Sequence, residues 1–180
     1  MARLDPLPVD QMSPKQKAIH DKVLGNRKVL GGPFSVLLRH PALAEAASGV
    51  VDVLRRDGKL DKRLYELIVL TVARHWTTHY VWAVHEPLAR SSGLSDETIE
   101  AMRARKKPAF TKPDEALVFD ATTQLMGGRV LSTATYDQLI KQFGLDLTLE
   151  IVATAGLYSM ISTVLNGFDV PTPGGEKTFA

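Results

Sequence analysis

RLYELIVLTVARHWTTHYVWAVHEPLARSSGLSDET, residues 63–98, is the stretch on which the reading of this chain turns. In its first half Leu64, Leu67, Ile68, Leu70 and Val72 recur at helical spacing and extend nearly around the helix. That is the pattern of a helix buried on most sides. Asp61 is a good N-cap, so the spacing predicts a helix over 62–76. The run 69–73 has strand propensity, but its flanks are charged and helix-forming, and helix wins. A turn at Thr77-Thr78 then leads into a second helix over 80–90, ended by Ser91-Ser92-Gly93. Pro87 lies inside it, removing a backbone donor and crowding the carbonyl of Ala83, which predicts a kink. Ser95-Asp96-Glu97-Thr98 has the form of a capping signal for a short helix over 97–104.

The same grammar extends outward. Ser13-Pro14 opens a helix over 15–24, and Gly31-Gly32-Pro33 breaks the chain before a short apolar turn that carries Phe34. His40-Pro41 starts an Ala-rich helix over 42–55. Downstream, helices are expected over 114–126, 134–143 and 147–165, separated by Gly127-Gly128 and Gly144. Nothing alternates with period two over a convincing length. The fold expectation is all-α: eight or so helices in a bundle built around the hairpin, with short loops. The chain divides into an N-terminal extension and first helix (1–30), a main domain (31–170) and a loose tail (171–180). One internal echo hints at a duplicated unit. Glu66 and Glu150 each open a long apolar helix, and Leu94-Ser95 and Leu131-Ser132 each precede a capped one.

Composition bounds the function. At 44% hydrophobic and 23% charged residues the chain is an ordinary globular one, with disorder expected only at the ends. Lys and Arg total 22 against 20 acidic residues. No basic or aromatic stripe accompanies the one dense basic run, at 103–107, so it reads as a solvated helix end and no nucleic-acid partner is expected. There is no cysteine. Disulfides, thiolate metal sites, Fe–S clusters and thiol nucleophiles are therefore excluded. The first ten residues hold no apolar run of signal-peptide type, and the apolar stretch 67–73 is too short to span a bilayer. The expectation is a cytoplasmic protein with no membrane partner.

The chemistry-bearing residues concentrate in the hairpin. Glu66 is a carboxylate embedded in an apolar helix, and such a group needs a cation, hydrogen bonds or a raised pKa. Arg63, Arg74, His75, His79 and His85 are the partners within reach along the chain. At about 100° per residue, Thr78, Val81, Trp82 and His85 share a face that a hairpin folds back toward Glu66. Two readings stay open here: an acid/base pair of Glu66 and His85, or a structural ion pair with a satisfied core histidine. His75 and His79 have the i, i+4 spacing of half a helical zinc site, but the central Glu of H-E-x-x-H is absent, and no metal is expected. There is no Gly-rich phosphate loop and no G-x-S-x-G elbow.

Glu66, eleven residues, Thr78, two residues, Val81, three residues and His85 resembles the AhpD-type motif E-x11-C-x2-C-x3-H, with both cysteines replaced. Gly93-Leu94-Ser95 with Ile99, the stretch from Phe34 to His40-Pro41, and the ending from Asn166 to Pro171 are also similar to carboxymuconolactone decarboxylase-like proteins. The resemblance covers roughly residues 30–172. It implies an all-α AhpD-like fold, a pocket around the hairpin, and assembly into trimers or hexamers. The apolar helices 62–76 and 147–165 likewise call for a homo-oligomer. AhpD-like members reduce peroxides through the two motif cysteines, relayed by Glu and His, whereas the decarboxylases release CO2 from a lactone acid without a cofactor. With no thiol, the resemblance implies a cofactor-independent lyase or isomerase acting on a small organic acid or lactone. His85 would act as general acid and Glu66 would orient it. The pocket is expected from Phe34, Arg39, His40, His75, Thr78, Tyr80, Val81 and Trp82, with Arg39, His40 or Arg74 on the substrate carboxylate. The competing reading is a non-catalytic ligand-binding or assembly protein that kept the fold without the cysteines.

Overall fold

Asp61 accepts a hydrogen bond from the Arg63 amide, and the helix it caps is the axis of the molecule. A computed structural model describes residues 3–24, 31–128 and 130–179; the predicted stop at Gly25-Asn26 lies outside them. The described residues contain eight α-helices and no strand: α1 Pro14–Leu24, α2 Pro33–Leu37, α3 Pro41–Asp52, α4 Lys62–His75, α5 His79–Ser91, α6 Asp96–Arg103, α7 Pro113–Met126 and α8 Thr133–Gly167. Helix α3 runs on into a wider π turn, Val53–Asp57. Every residue of α4 from Leu64 to Ala73 is buried. Its neighbours are α5, α7, α8 and α6, all from the same chain. One part of the case for assembly therefore falls away, because α4 needs no second copy to cover it. On α8, Leu145 and Leu149 remain 67% and 65% exposed.

The caps follow the sequence. Ser13 and Gln16 form a reciprocal capping box at α1, with Ser13 N–H donating to Gln16 Oε1 at 2.9 Å. Ser95 and Ser132 each accept from the amide three residues on, that of Thr98 and of Thr135. The other half of the internal echo diverges. Glu150 accepts from the amides of Lys59 and Leu60 and closes the loop before α4, a job Glu66 does not share. The kink expected at Pro87 does not divide α5, which continues as one helix to Ser91.

Gly144 joins what the sequence reads as two helices. Its φ of 73° and ψ of 176° fall in a region that only glycine occupies readily, so the axis breaks there within α8. By length and composition α8 is apolar enough to cross a membrane, yet its second segment packs on α4 and α7 as a core helix of the bundle.

The expected loose tail is instead docked. Phe179 is 6% exposed, with its ring 5.0 Å from Trp82 and 5.1 Å from the His79 ring. The Arg74 guanidinium lies 4.5 Å over Phe179, and Arg103 donates to the carbonyl of Thr178. His79 Nδ1 accepts from the amides of Thr178 and Phe179. A proline- and glycine-rich composition signals a loose chain, but one aromatic anchor offsets the ordering cost.

Burial, aided by Lys177 and Arg74, lowers the His79 pKa below its ordinary 6.5. The folded value lies under the unfolded one, so this contribution is complete above about pH 6.5 and is lost as pH falls through the folded value. Phe179→Ala is expected to cost about 2 kcal/mol near neutral pH. Denaturant melts of wild type and variant should converge as pH drops from about 7.5 to about 5.5, because protonated His79 no longer accepts from the tail. A gap that stays constant over that range contradicts the role of His79.

Candidate active site

The turn between α4 and α5 is tight. Thr77 takes a positive φ of 51°, and the Thr78 amide donates to the carbonyl of Ala73. The two helices then run side by side, and their facing side chains meet. His85 Nδ1 lies 2.7 Å from Glu66 Oε2, with the residues 5% and 6% exposed. A carboxylate only accepts, so the proton between them belongs to Nδ1, and Nε2 of the neutral ring is an acceptor. Facing Nε2 at 3.3 Å is the hydroxyl of Tyr158, on α8. Tyr158 in turn accepts from the Tyr65 hydroxyl at 3.1 Å. The result is a buried relay, Tyr65 to Tyr158 to His85 to Glu66, drawn from three helices. Both ring contacts within it are edge-on, His85 to Tyr158 at 5.1 Å and Tyr65 to Tyr158 at 5.9 Å. Burial, reinforced by Tyr65, raises the Tyr158 pKa well above the ordinary 10 against the pull of Arg55. Tyr158 is therefore a neutral phenol, able to donate.

The relay opens on a cavity of about 660 Å³. Phe34, Val51, Val81, Val84, Ile161 and Leu165 supply apolar wall, and His85 and Tyr158 supply its polar edge. Tyr80 also lines it. Gly32 fixes that ring: a Cβ on Gly32 would come within 2.6 Å of it, and the glycine's φ is 64°. Arg55, Arg56 and Lys62 complete the lining. Arg56 is paired with Asp52 at 3.2 Å, and Lys62 Nζ donates to the Arg55 carbonyl. The half-buried Arg55 guanidinium has no acidic partner among the described residues, and its charge reaches Tyr158. The site combines an apolar wall, a buried imidazole and a cation with no acidic partner among the described residues.

Of the residues expected in the pocket, Phe34, Tyr80, Val81 and His85 line the cavity. Glu66 stands behind His85. Trp82 does not line it: one step along a helix turns it about 100° from Val81, to where its indole N–H donates to Glu86 and its ring sits beneath Phe179. Thr78 is buried and does not line the cavity. His75 is nine residues from Glu66, half a helical turn out of phase and about 13 Å along the axis, and it packs edge-on against Trp76. Arg39 donates to the Asp5 carbonyl, and His40 caps α3 by accepting from the Leu43 amide. Arg74 donates to the Arg103 carbonyl. Arg63 is held by Asp114 and Glu115 at 2.7 and 2.6 Å, which fastens α7 to α4. Among the described residues no three His, Asp or Glu side chains gather as metal ligands.

Residues 41–124 match the Carboxymuconolactone decarboxylase family. The whole fold is similar to an alkylhydroperoxidase AhpD core structure, a peroxidase-related protein from Ralstonia eutropha JMP134, with a TM-score of 0.78 at 15% identity over 95% of this chain and 92% of that one. It is also similar to an Agrobacterium tumefaciens protein described as a putative antioxidant defence protein AhpD (TM-score 0.64, 21% identity, 76% of this chain and 94% of that one). The chain is thus similar to the carboxymuconolactone decarboxylase family over residues 41–124, and its fold is AhpD-like. A further likeness within this fold is to the debrominase Bmp8, with a TM-score of 0.74 at 14% identity over 94% of this chain and 91% of that one. No curated protein matches the chain by sequence. At these identities the structural likenesses are of fold.

The chain departs from the AhpD motif in a way the cavity makes concrete. Val81, where the motif has its second cysteine, is a hydrocarbon in the wall beside His85. Sequence reasoning missed Tyr65, Tyr158 and Arg55. A tyrosine amid the small and apolar residues of 147–165 was a usable signal, since a buried hydroxyl needs a partner. Arg55 gave none.

Each link of the relay is expected to be measurable in stability. Tyr65→Phe and Tyr158→Phe should each cost about 1–2 kcal/mol, and their double-mutant coupling should exceed about 0.5 kcal/mol. Strict additivity in urea melts contradicts a hydrogen bond between the two hydroxyls.

Proposed function

We propose that this protein is a cofactor-independent lyase or isomerase acting on a small organic acid or lactone, with His85 as the proton-transfer group. The observation that carries this reading is the arrangement of the imidazole. Nδ1 is committed to Glu66, and Nε2 is turned to Tyr158 at the edge of a cavity that also holds an unpaired arginine. Arg55 holds the substrate carboxylate. That fixes the reacting carbon next to His85 while the apolar wall covers the rest of the molecule. In an isomerisation Nε2 takes a proton from the carbon beside a carbonyl and returns it elsewhere. In a decarboxylation the departing CO2 leaves its electron pair on carbon, and the imidazolium supplies the proton that quenches it. In both cases Glu66 compensates the positive charge on the ring, and the neutral Tyr158 hydroxyl is free to turn from Nε2 to the developing enolate oxygen.

Two comparisons bear on the size and chemistry of the substrate. The debrominase was also solved as a cysteine-to-alanine variant with 2,3,4-tribromopyrrole (TM-score 0.68), and a single small ring of that kind suits a cavity of about 660 Å³. The peroxidase-related relatives suggest thiol chemistry, for which this chain has no nucleophile. No turnover of an alkyl hydroperoxide is expected, and turnover that survives a metal chelator contradicts this assignment.

The closed relay also favours a second reading. Because Nε2 already has Tyr158, the pair is satisfied without a ligand, as in a non-catalytic binding protein. Untargeted metabolite depletion separates the two. Wild type should consume an organic acid or lactone that His85→Ala leaves almost untouched, a loss of about 10²–10⁴ in rate. Glu66→Gln, which keeps the shape, should fall in the same direction, and Arg55→Ala should act mainly through KM. A ligand that binds wild type and His85→Ala equally, with no compound consumed, establishes the binding protein instead.

A further inference from the structure

The basic run at 103–107, which reads in sequence as a solvated helix end, has a different setting in the folded chain. It borders a second cavity of about 560 Å³ between α4, α6 and α7, which shares no lining residue with the first. Met102, Phe119 and Met126 give it an apolar floor, and Arg74, His75, Arg105, Lys106 and Lys107 surround that floor. The one acid in the lining, Asp120, is taken by Lys107 at 2.8 Å. Arg74, Arg105 and Lys106 have no acidic partner among the described residues. Both arginines are anchored by neutral acceptors, Arg74 by the Arg103 carbonyl at 2.7 Å and Arg105 by the Thr77 hydroxyl at 2.8 Å. Burial lowers the Arg74 pKa and the Arg105 charge lowers it further, so the two guanidiniums are close enough to repel. Arg105 also takes a left-handed φ of 57°, unusual for a non-glycine residue, in the turn that places the run at this rim.

Cations held together over an apolar floor, with no carboxylate to neutralise them, are complementary to a ligand that carries the missing charge on an apolar body. We propose that this cavity is a second ligand site, separate from the His85 cavity, that binds an amphipathic organic carboxylate. The apolar body lies on Met102, Phe119 and Met126, and the carboxylate is shared by Arg74, Arg105 and Lys106. The planar guanidiniums suit a carboxylate better than a lone ammonium does, because each offers paired N–H donors.

The full chain labelled with 13C at the methionine methyls provides the test, since two of its five methionines line this cavity. Octanoate, titrated below its micellar concentration, should shift Met102 and Met126 saturably, and octanol of the same chain length should not saturate them. The double variant Arg105→Ala and Lys106→Ala, two exposed positions whose loss leaves the core intact, should weaken octanoate binding by about tenfold or more. The proposal is overturned by the absence of a saturable shift at those two methyls, by an equal response to octanol, or by unchanged affinity in the double variant. Shifts that follow protein concentration instead of octanoate overturn it as well, and would assign the cavity to contact with a second copy of the chain.

Discussion

A carboxylate in the middle of a helix that other helices enclose loses its hydration, and that loss costs several kcal/mol unless a partner restores it. Glu66 is in that position, and the architecture around it is organised by which partner can reach it. Arg63, one helical turn earlier, is committed to Asp114 and Glu115. Arg74 and His75 point from the far end of α4, and His79 holds the tail. The cation or donor that remains is on the returning helix, at His85. The tight turn at Thr77 and Thr78 is what brings α5 back at the register that makes the contact.

Fixing His85 by one nitrogen has consequences for the rest of the site. The other nitrogen then has a defined direction, toward α8, where Tyr158 and behind it Tyr65 complete the line of hydrogen bonds. The neighbours of His85 on the same face, Val81 and Val84, become cavity wall, and the adjacent face, with Trp82, is left for the tail to cover. A cavity-lining face and a tail-packing face thus share one helix, with Val81 and Trp82 about 100° apart. The second cavity uses the other end of α4, so two ligand-sized spaces, each with basic residues in its lining, lie toward opposite ends of the same buried helix.

Local signals made much of this legible in the sequence. Asp61, Ser95 and Ser132 announced helix starts by short-range hydrogen bonds, and the near-continuous apolar surface of residues 62–76 marked the central helix. The E-x11-T-x2-V-x3-H spacing singled out Glu66 and His85 because both lie on one hairpin. What escaped depends on contacts between residues far apart in the chain. Tyr158 reaches His85 across 73 positions and Tyr65 across 93, and no periodicity encodes that. Arg55 becomes a pocket residue only because the π turn after α3 passes the cavity. Trp82 was misplaced because a helical face is narrower than the four residues assigned to it, and the tail was misread because composition cannot see that Phe179 finds Trp82.

Glu66 holds His85 by its Nδ1 proton and so turns Nε2 to Tyr158 at the edge of the cavity. Long-range 15N–1H correlation spectroscopy of the histidine rings reads that state directly. His85 above neutral pH should be the Nδ1–H tautomer, with a slowly exchanging, strongly downfield Nδ1 proton that moves upfield in Glu66→Gln. An Nε2–H tautomer for His85, or a ring proton unaffected by Glu66→Gln, would contradict it.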